Sequence, residues 1–434
     1  MIMEILCFVL IIELLINLAY FKWDFVHPAV IFNLMFVLAS LDLFLMSDYW
    51  NVVVRTETIF IITLGILVFF VFAVIAQKIR IRNKFITCQY DVKSDISISR
   101  FWIYTVIYLT TLVMTVFYRI KSVGLSYAIG NIMTQYSNAV SLDELTNLPV
   151  FLKIMGLLCV SMAFVYAYLF VDYWAKNKKI NHKLFFLLVI SSIYLLICQK
   201  RGTFVMFMIF LFAQLLLQTK RFRAKKINRK IYIYVTASAT VLLLSFNSIA
   251  SLMGRTFGED NPFALLSVYL GGPILNLNAV LNNMPEPYTT LPLSETFHGL
   301  YTAIYKYTGV KQFNYSTSNF FRSAAGHATG NVYTTFYDFY HDAGIVGVII
   351  LTAVMSFVAC RIYRKIKTNN YKNILFYSVL YGYIFVLVWR SFFANSFYEW
   401  IQFSTLEMLL IWLIASYTLS GKVNLKKARI IIRR

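Results

Sequence analysis

The chain has 434 residues, of which 59% are hydrophobic, 18% aromatic and only 14% charged, and its formal net charge is +21. This composition excludes an ordinary soluble globular protein. A net charge of this size in a soluble protein would suggest nucleic acid as a partner. Here long apolar runs separate the basic residues, so no nucleic-acid partner is expected.

A membrane-spanning helix needs roughly 20 mainly apolar residues, and about eleven stretches meet that requirement. We therefore predict an all-α polytopic integral membrane protein that forms a single domain over residues 1–434, with about 11 transmembrane helices and a range of about ten to twelve. In chain order the predicted spans are 2–21, 26–46, 58–77, 101–118, 150–174, 184–200, 203–219, 231–250, 333–360, 373–390 and 400–419.

Most of the 40 Lys and Arg residues lie in five short clusters that contain no Asp or Glu. Because cytoplasmic loops carry an excess of Lys and Arg, these clusters predict the inner loops, with the N-terminus outside and the C-terminus inside. Such loops also attract the anionic head groups of membrane lipids. The clusters span residues 78–84, 176–183, 220–230, 361–372 and 422–434.

Two predicted outer segments are long, 119–149 and 251–331, and the second is expected to be a large ordered loop that caps the bundle. Within it, the apolar stretch 263–281 is interrupted by Gly271, Gly272 and Pro273. That interruption predicts a pair of short helices, either re-entrant or lying at the membrane interface.

Four arginines are placed at or near the outer face, where the inside bias does not require them: Arg201 in the turn QKRGTF, Arg255, Arg322 and Arg390. An ordinary interpretation is available for three of them, namely snorkelling of Arg201 and Arg390 to the head groups and a loop salt bridge for Arg255. As a set they suggest a site for phosphate groups, which the guanidinium fork binds well.

The segment 326–347, GHATGNVYTTFYDFYHDAGIVG, starts with small residues that permit a tight turn and continues as an aromatic-rich helix. His327 precedes this predicted helix, and Asp338, His341 and Asp342 share one helical face. Ionisable groups in or beside a span need a cavity or partners. Their spacing matches no standard zinc motif, so no metal is expected, and a structural hydrogen bond is the alternative for His341.

These features together resemble the bacterial O-antigen and capsule repeat-unit polymerases, the Wzy family. The resemblance rests on the Arg201–Gly202 turn, the segment 326–347 and Arg390, with a large loop between them. The aromatic-Asp-x-Gly-x-x-Gly pattern of such proteins is similar to Tyr340-His341-Asp342-Ala343-Gly344 followed by Gly347. The related O-antigen ligases place a His in a comparable outer turn, which corresponds to His327.

The resemblance implies a glycosyltransferase at the outer face of the bacterial cytoplasmic membrane, with undecaprenyl-pyrophosphate-linked oligosaccharides as donor and acceptor. His327 would be the preferred general base, with His341 or Asp342 as the second choice. The pyrophosphate and the acceptor phosphates would be bound by Arg201, Arg255, Arg322 and Arg390. No cofactor is expected, and partnership with a chain-length regulator is left open.

Three other functions remain open at this point. An O-antigen ligase would use the same chemistry, and a flippase or secondary carrier would also need intramembrane charges. The chain shows no repeated halves, which argues moderately against a carrier. A structural or receptor-like membrane protein would tolerate replacement of the outer charges.

Overall fold

The computed structural model describes the chain mainly as helices. The described residues are 2–79, 97–123, 136, 148–199, 201–222, 263–281, 284–287, 289–317, 319–320, 322–324, 326–367 and 373–419. Ten of the eleven predicted spans coincide with helices, and the predicted span 231–250 lies outside the described residues.

The helices are numbered here in chain order. They are α1 (Ile2–Tyr20), α2 (Pro28–Leu45), α3 (Ser47–Trp50), α4 (Thr56–Lys78), α5 (Ile98–Val123), α6 (Val150–Asn177), α7 (His182–Cys198), α8 (Arg201–Phe222), α9 (Ala264–Leu270), α10 (Gly272–Val280), α11 (His298–Thr308), α12 (Thr335–Lys367), α13 (Ile374–Arg390) and α14 (Phe403–Leu419). Single 3-10 turns cover Lys311–Phe313 and Tyr398–Trp400. An antiparallel hairpin pairs β1 (Arg322–Ala324) with β2 (His327–Gly330).

Seven of the described helices are long enough and apolar enough to cross a membrane: α1, α2, α4, α5, α6, α8 and α12. Three more, α7, α13 and α14, are apolar over 17 residues each. These helices confirm the prediction of an all-α membrane protein. The strands β1 and β2 are the only sheet within the described part of the chain.

The chain groups into two compact units. Unit 1 comprises Met1–Lys84, Asn261–Thr368 and Tyr383–Leu406. Unit 2 comprises Phe85–Asp260, Asn369–Gly382 and Glu407–Arg434.

The core of unit 1 is an aromatic stack between α2, α4 and α12. Phe32 stacks on Phe69 with ring centroids 4.2 Å apart, and Phe36 stacks on Phe336 at 5.1 Å. The ring of Phe336 lies so close to Gly65 that a Cβ there would overlap it. Such aromatic pairs contribute roughly 0.5–1.5 kcal/mol each beyond the apolar area they bury. They fix α12 against α4.

The broken apolar stretch 263–281 forms the predicted pair of short helices, α9 and α10, with Gly271 between them. Most of their residues are buried. The Asp42 carboxylate accepts the Gly271 amide at 3.1 Å, and the Asn278 side chain accepts the Arg55 amide at 2.8 Å. These contacts hold the helix pair inside unit 1, because a buried polar group is stable only with a partner.

Unit 1 has two ends that differ in composition. At the basic end (residues 21–27, 76–79 and 361–367), the Lys367 ammonium lies 3.3 Å from the Asp24 carboxylate. At the cap end (residues 47–55, the described residues among 263–342, and 390–400), the Trp50 indole donates to Ser267 at 2.8 Å. The three segments at the basic end all adjoin parts of the chain that the sequence predicts to lie on the inner side of the membrane.

Unit 2 is built around α6, whose polar contacts tie it to its neighbours. The Tyr108 hydroxyl donates to the Cys159 carbonyl, and the Trp412 indole donates to the Ser161 carbonyl at 2.9 Å. Hydrogen bonds between apolar helices satisfy polar groups that water cannot reach in a membrane. These two bonds attach α5 and the middle of α14 to the middle of α6.

Candidate functional site

The helix α12 is broken near its start, within the motif that carries the resemblance. Ala343 (φ −152°, ψ 25°) and Gly344 (φ 58°, ψ −147°) are not helical, so residues 335–342 form a short separate helix. The Gly344 conformation is almost restricted to glycine. A Cβ on Gly347 would overlap the carbonyl oxygen of Phe339. Both glycines of the motif are therefore needed to turn the short helix against the long one.

Asp342, the last residue of this short helix, binds backbone amides. Its Oδ1 accepts the Glu295 amide at 2.9 Å, and its Oδ2 accepts the Thr296 amide at 2.7 Å. Both carboxylate oxygens are thus occupied by the turn that precedes α11. This arrangement suits a residue that holds the turn in place better than one that removes a proton from a substrate.

His341 has one nitrogen bonded and the other without a hydrogen-bond partner. Its Nε2 lies 2.8 Å from the Pro285 carbonyl oxygen. Since a carbonyl oxygen only accepts, we assign the proton to Nε2, which leaves Nδ1 as an acceptor. Nδ1 is buried without a hydrogen-bond partner. The imidazole is therefore oriented by the backbone, and its accepting nitrogen has no hydrogen-bond partner in the protein.

Asp338 lies one turn before Asp342 and is 7% exposed. Its carboxylate hydrogen-bonds to Asn395 and is close enough to Glu295 and Asp342 to interact electrostatically with both. Sequence analysis placed Asp338 in the ionisable cluster but not among the site residues. The signal that pointed to it was its place in the run YDFYHD, on the same helical face as His341 and Asp342.

Arg322 is joined to the short helix through two tyrosine rings. Its Nε donates to the Tyr333 hydroxyl at 2.7 Å, which in turn donates to the Phe320 carbonyl at 3.0 Å. The Tyr333 ring stacks on Tyr337 at 4.3 Å, and Tyr337 packs beside His341 at 5.8 Å. Burial raises the pKa of Tyr333, partly offset by Arg322, so the hydroxyl stays protonated at neutral pH.

We name Arg322, Tyr333, Tyr337, Asp338 and His341 the cap cluster. It contains a cation, a buried acid and an oriented imidazole at one end of unit 1. A cleft of about 270 Å³ lies beside the break that follows the cluster. The cleft is lined by Thr56, Glu57, Phe60, Ile61, Tyr340 and Ile345.

Arg390, at the end of α13, is paired within unit 1. Its guanidinium forms a salt bridge with Glu399 and donates to the Ser396 hydroxyl at 2.9 Å. The neighbouring Ser391 carbonyl accepts the Thr335 amide at 2.9 Å, which places Arg390 near the start of α12. A phosphate at this position would compete with Glu399. Sequence analysis did not predict this partner.

His327 belongs to the hairpin, at the start of β2. Its ring stacks on Tyr49 at 4.1 Å and meets the edge of Trp50 at 6.4 Å. It pairs with Ala324 next to the turn at Gly326, whose φ is +84°. The contacts of this ring therefore include an aromatic stack.

Arg201 and Arg255 are not brought to the cap cluster by any described contact. Arg201 is the first residue of α8 in unit 2, and its side chain lies outside the described part of the chain. Arg255 also lies outside the described residues. In unit 2 the buried Arg119 donates to the Cys198 carbonyl at 2.9 Å, at the end of α7. Sequence analysis gave Arg119 no role.

No protein-family model, curated protein or solved structure matches this chain. Within the described residues, no group of three or more His, Cys, Asp or Glu side chains is placed to hold a metal ion. The cap cluster and the sequence pattern around it are therefore the features from which a function is proposed.

Proposed function

We propose that this chain is a membrane glycosyltransferase that joins oligosaccharide repeat units carried on undecaprenyl pyrophosphate, at the outer face of a bacterial cytoplasmic membrane. The observation that carries the proposal is the oriented imidazole of His341, whose accepting Nδ1 lies in the same cluster as Arg322. A base and a cation are the two groups that this transfer requires. The long apolar helices support a substrate that is itself held in a membrane.

In the proposed reaction, a sugar hydroxyl of the acceptor attacks the anomeric carbon of the donor glycan. His341 Nδ1 takes the hydroxyl proton as the new glycosidic bond forms. The bond between the anomeric carbon and the phosphate oxygen breaks, and the lipid pyrophosphate leaves with the electron pair. Arg322 stabilises the charge on the departing phosphate, since fixed cations are most effective where charge develops. Arg390 assists if the phosphate displaces Glu399.

His341 is now the favoured base over His327 and Asp342. Asp342 uses both oxygens to hold backbone amides, and His327 stacks on Tyr49. Because His341 Nδ1 is buried, the acceptor reaches it only when the surrounding side chains move. The adjacent cleft is the place we assign to the start of the substrate's lipid chain, because four of its six lining residues present apolar or aromatic surface.

The test is reconstitution of the purified protein with lipid-linked repeat units and analysis of the glycan products. We expect a ladder of longer glycans, and we expect His341→Gln to reduce its rate by about 10²- to 10⁴-fold, the usual contribution of a general base. His298→Gln is the matched control, since His298 also bonds a carbonyl through Nε2, at 2.9 Å from Tyr315 O. Full activity in His341→Gln would remove His341 from the mechanism.

Two further measurements separate the alternatives. Chelation should leave the ladder unchanged, and a dead chelated enzyme rescued by zinc or magnesium would refute the metal-free mechanism. Deletion in cells should abolish long chains while a product with one repeat remains. Loss of every surface-attached product would instead indicate a ligase or a flippase.

A further inference from the structure

The helix α11 and the turn after it stand outside the core of unit 1. No residue of α11 is buried, and residues 306–312, KYTGVKQ, are exposed without interruption. We name residues 306–312 the tip. Gly309, with φ +71°, ends the helix and reverses the chain there.

The tip exposes apolar side chains next to the start of an apolar helix. Tyr307 is 74% exposed and Val310 42% exposed. The Tyr307 ring packs on Phe403, the first residue of α14, with centroids 5.3 Å apart. Phe403 and Leu406, on the same helix, are themselves 39% and 46% exposed. The tip is therefore level with the point where an exposed apolar helix surface begins.

The charge of this segment is positive. Residues 298–317 include Lys306 and Lys311 and contain no Asp or Glu. Tyrosine beside lysine is typical of the membrane interface, where the ring lies at the head-group level and the ammonium binds lipid phosphate. Each lysine near an anionic membrane surface adds to the attraction.

We infer that the tip is an interfacial anchor, in which Tyr307 and Val310 enter the head-group region and Lys306 and Lys311 bind the phosphates of anionic lipids. This inference is independent of the proposed glycosyltransferase activity. It also assigns the interface-lying element of the long loop to α11, because the pair α9 and α10 is buried within the protein.

The experiment uses the full chain in lipid nanodiscs with a fluorophore on Gln312→Cys, an exposed tip position that the inference does not require. Discs contain either phosphatidylcholine alone or a mixture of three parts phosphatidylcholine to one part phosphatidylglycerol, with brominated acyl chains as quenchers. We expect quenching in both, and about three-fold stronger quenching with the anionic lipid, because the two lysines are attracted to it. Labelled protein without the new cysteine gives the background, and Ser323→Cys on the hairpin is the exposed control.

The double variant Lys306→Ser with Lys311→Ser should reduce quenching in the anionic discs to the level of the neutral discs, and Tyr307→Ser should reduce quenching in both. Absence of quenching in both disc types, or an unchanged lipid preference in the double variant, would overturn the inference. Inorganic phosphate is also added to the neutral discs. If it changes the fluorescence as much as the anionic lipid does, the tip binds free phosphate, and lipid is excluded as the ligand. A change in fluorescence that requires added glycan but not anionic lipid would also overturn the inference, and it would indicate that the tip binds sugar.

Discussion

At the basic end of unit 1, Arg361 and Arg364 bind backbone carbonyls, whereas at the cap end Arg322 and Arg390 bind side chains. Arg361 and Arg364 each donate to the Ile79 carbonyl at 2.7 Å, beyond the last turn of α4. Arg322 instead donates to the Tyr333 hydroxyl, and Arg390 pairs with Glu399. A cation at a helix C-terminus stabilises the helix dipole and needs no other role. The kind of group that accepts a hydrogen bond from an arginine therefore separates structural arginines from candidate ligand-binding arginines. The number of charged residues at each end does this less well.

The acids at the two ends differ in the same way. Asp24 at the basic end accepts the Tyr363 hydroxyl and the Lys367 ammonium, so it has a cation as partner. Asp338 at the cap end hydrogen-bonds to Asn395 and has two acids as electrostatic neighbours. A buried acid held beside other acids is the less stable arrangement. Such a cost is commonly found where a group serves a function.

The largest effect is expected for Asp342→Ala at the cap end. The change leaves the Glu295 and Thr296 amides without their acceptor, and an unsatisfied buried donor costs about 1–3 kcal/mol. We therefore expect about 2–4 kcal/mol lower stability, measured by thermal unfolding in detergent, and faster proteolysis within residues 284–297. Asp342→Asn retains one acceptor oxygen and should lose roughly half as much.

The same variants separate a structural acid from a catalytic one. If Asp342 only holds the turn, residual activity should follow the folded fraction, and low temperature should restore it. Abolished activity in a fully stable Asp342→Asn protein would make Asp342 the base. That result would reverse the assignment that favours His341.

A smaller loss is expected for Gly344→Ala at the break in α12. The conformation of Gly344 is unfavourable for any residue with a Cβ, at a cost of about 1–3 kcal/mol. Gly202→Ala is the matched control, since Gly202 lies in a helix and a Cβ there meets nothing within 4 Å. That substitution should raise stability by up to about 1 kcal/mol. Equal stability of the two variants would show that the break is not imposed by Gly344.

Much of the fold follows from the sequence because apolar length alone defines a span. The interruption in 263–281 also follows from the sequence, and there Gly271 separates α9 from α10. The sequence does not show which residues hold this helix pair in place, because the contact between Asp42 and Gly271 joins residues 229 positions apart. The hairpin at Arg322–Gly330 was foreseen only as a tight turn.

The candidate site was predictable as a segment but not as a geometry. The sequence pattern predicts the segment around His341 and Gly344. Glycine recurs in this pattern because the backbone at the break in α12 requires it. Backbone groups far away in the sequence decide whether His341 or Asp342 has an atom left to bind a substrate. Examples are the Pro285 carbonyl and the Glu295 amide. Side-chain partners of this kind carry no signal in a single sequence.

The smallest effects are expected at the basic end, for Arg361→Ala and Arg364→Ala taken singly. Both side chains donate to the carbonyls of Ala76 and Ile79, so either one can satisfy them after the other is removed. Each single variant should lose less than about 0.5 kcal/mol, and the double variant about 1–1.5 kcal/mol, the net value of a typical hydrogen bond. Thermal unfolding of the four proteins of this cycle measures the coupling. Additive losses would mean that the two arginines do not share their acceptors, and a single loss as large as that of Asp342→Ala would remove the contrast between the two ends.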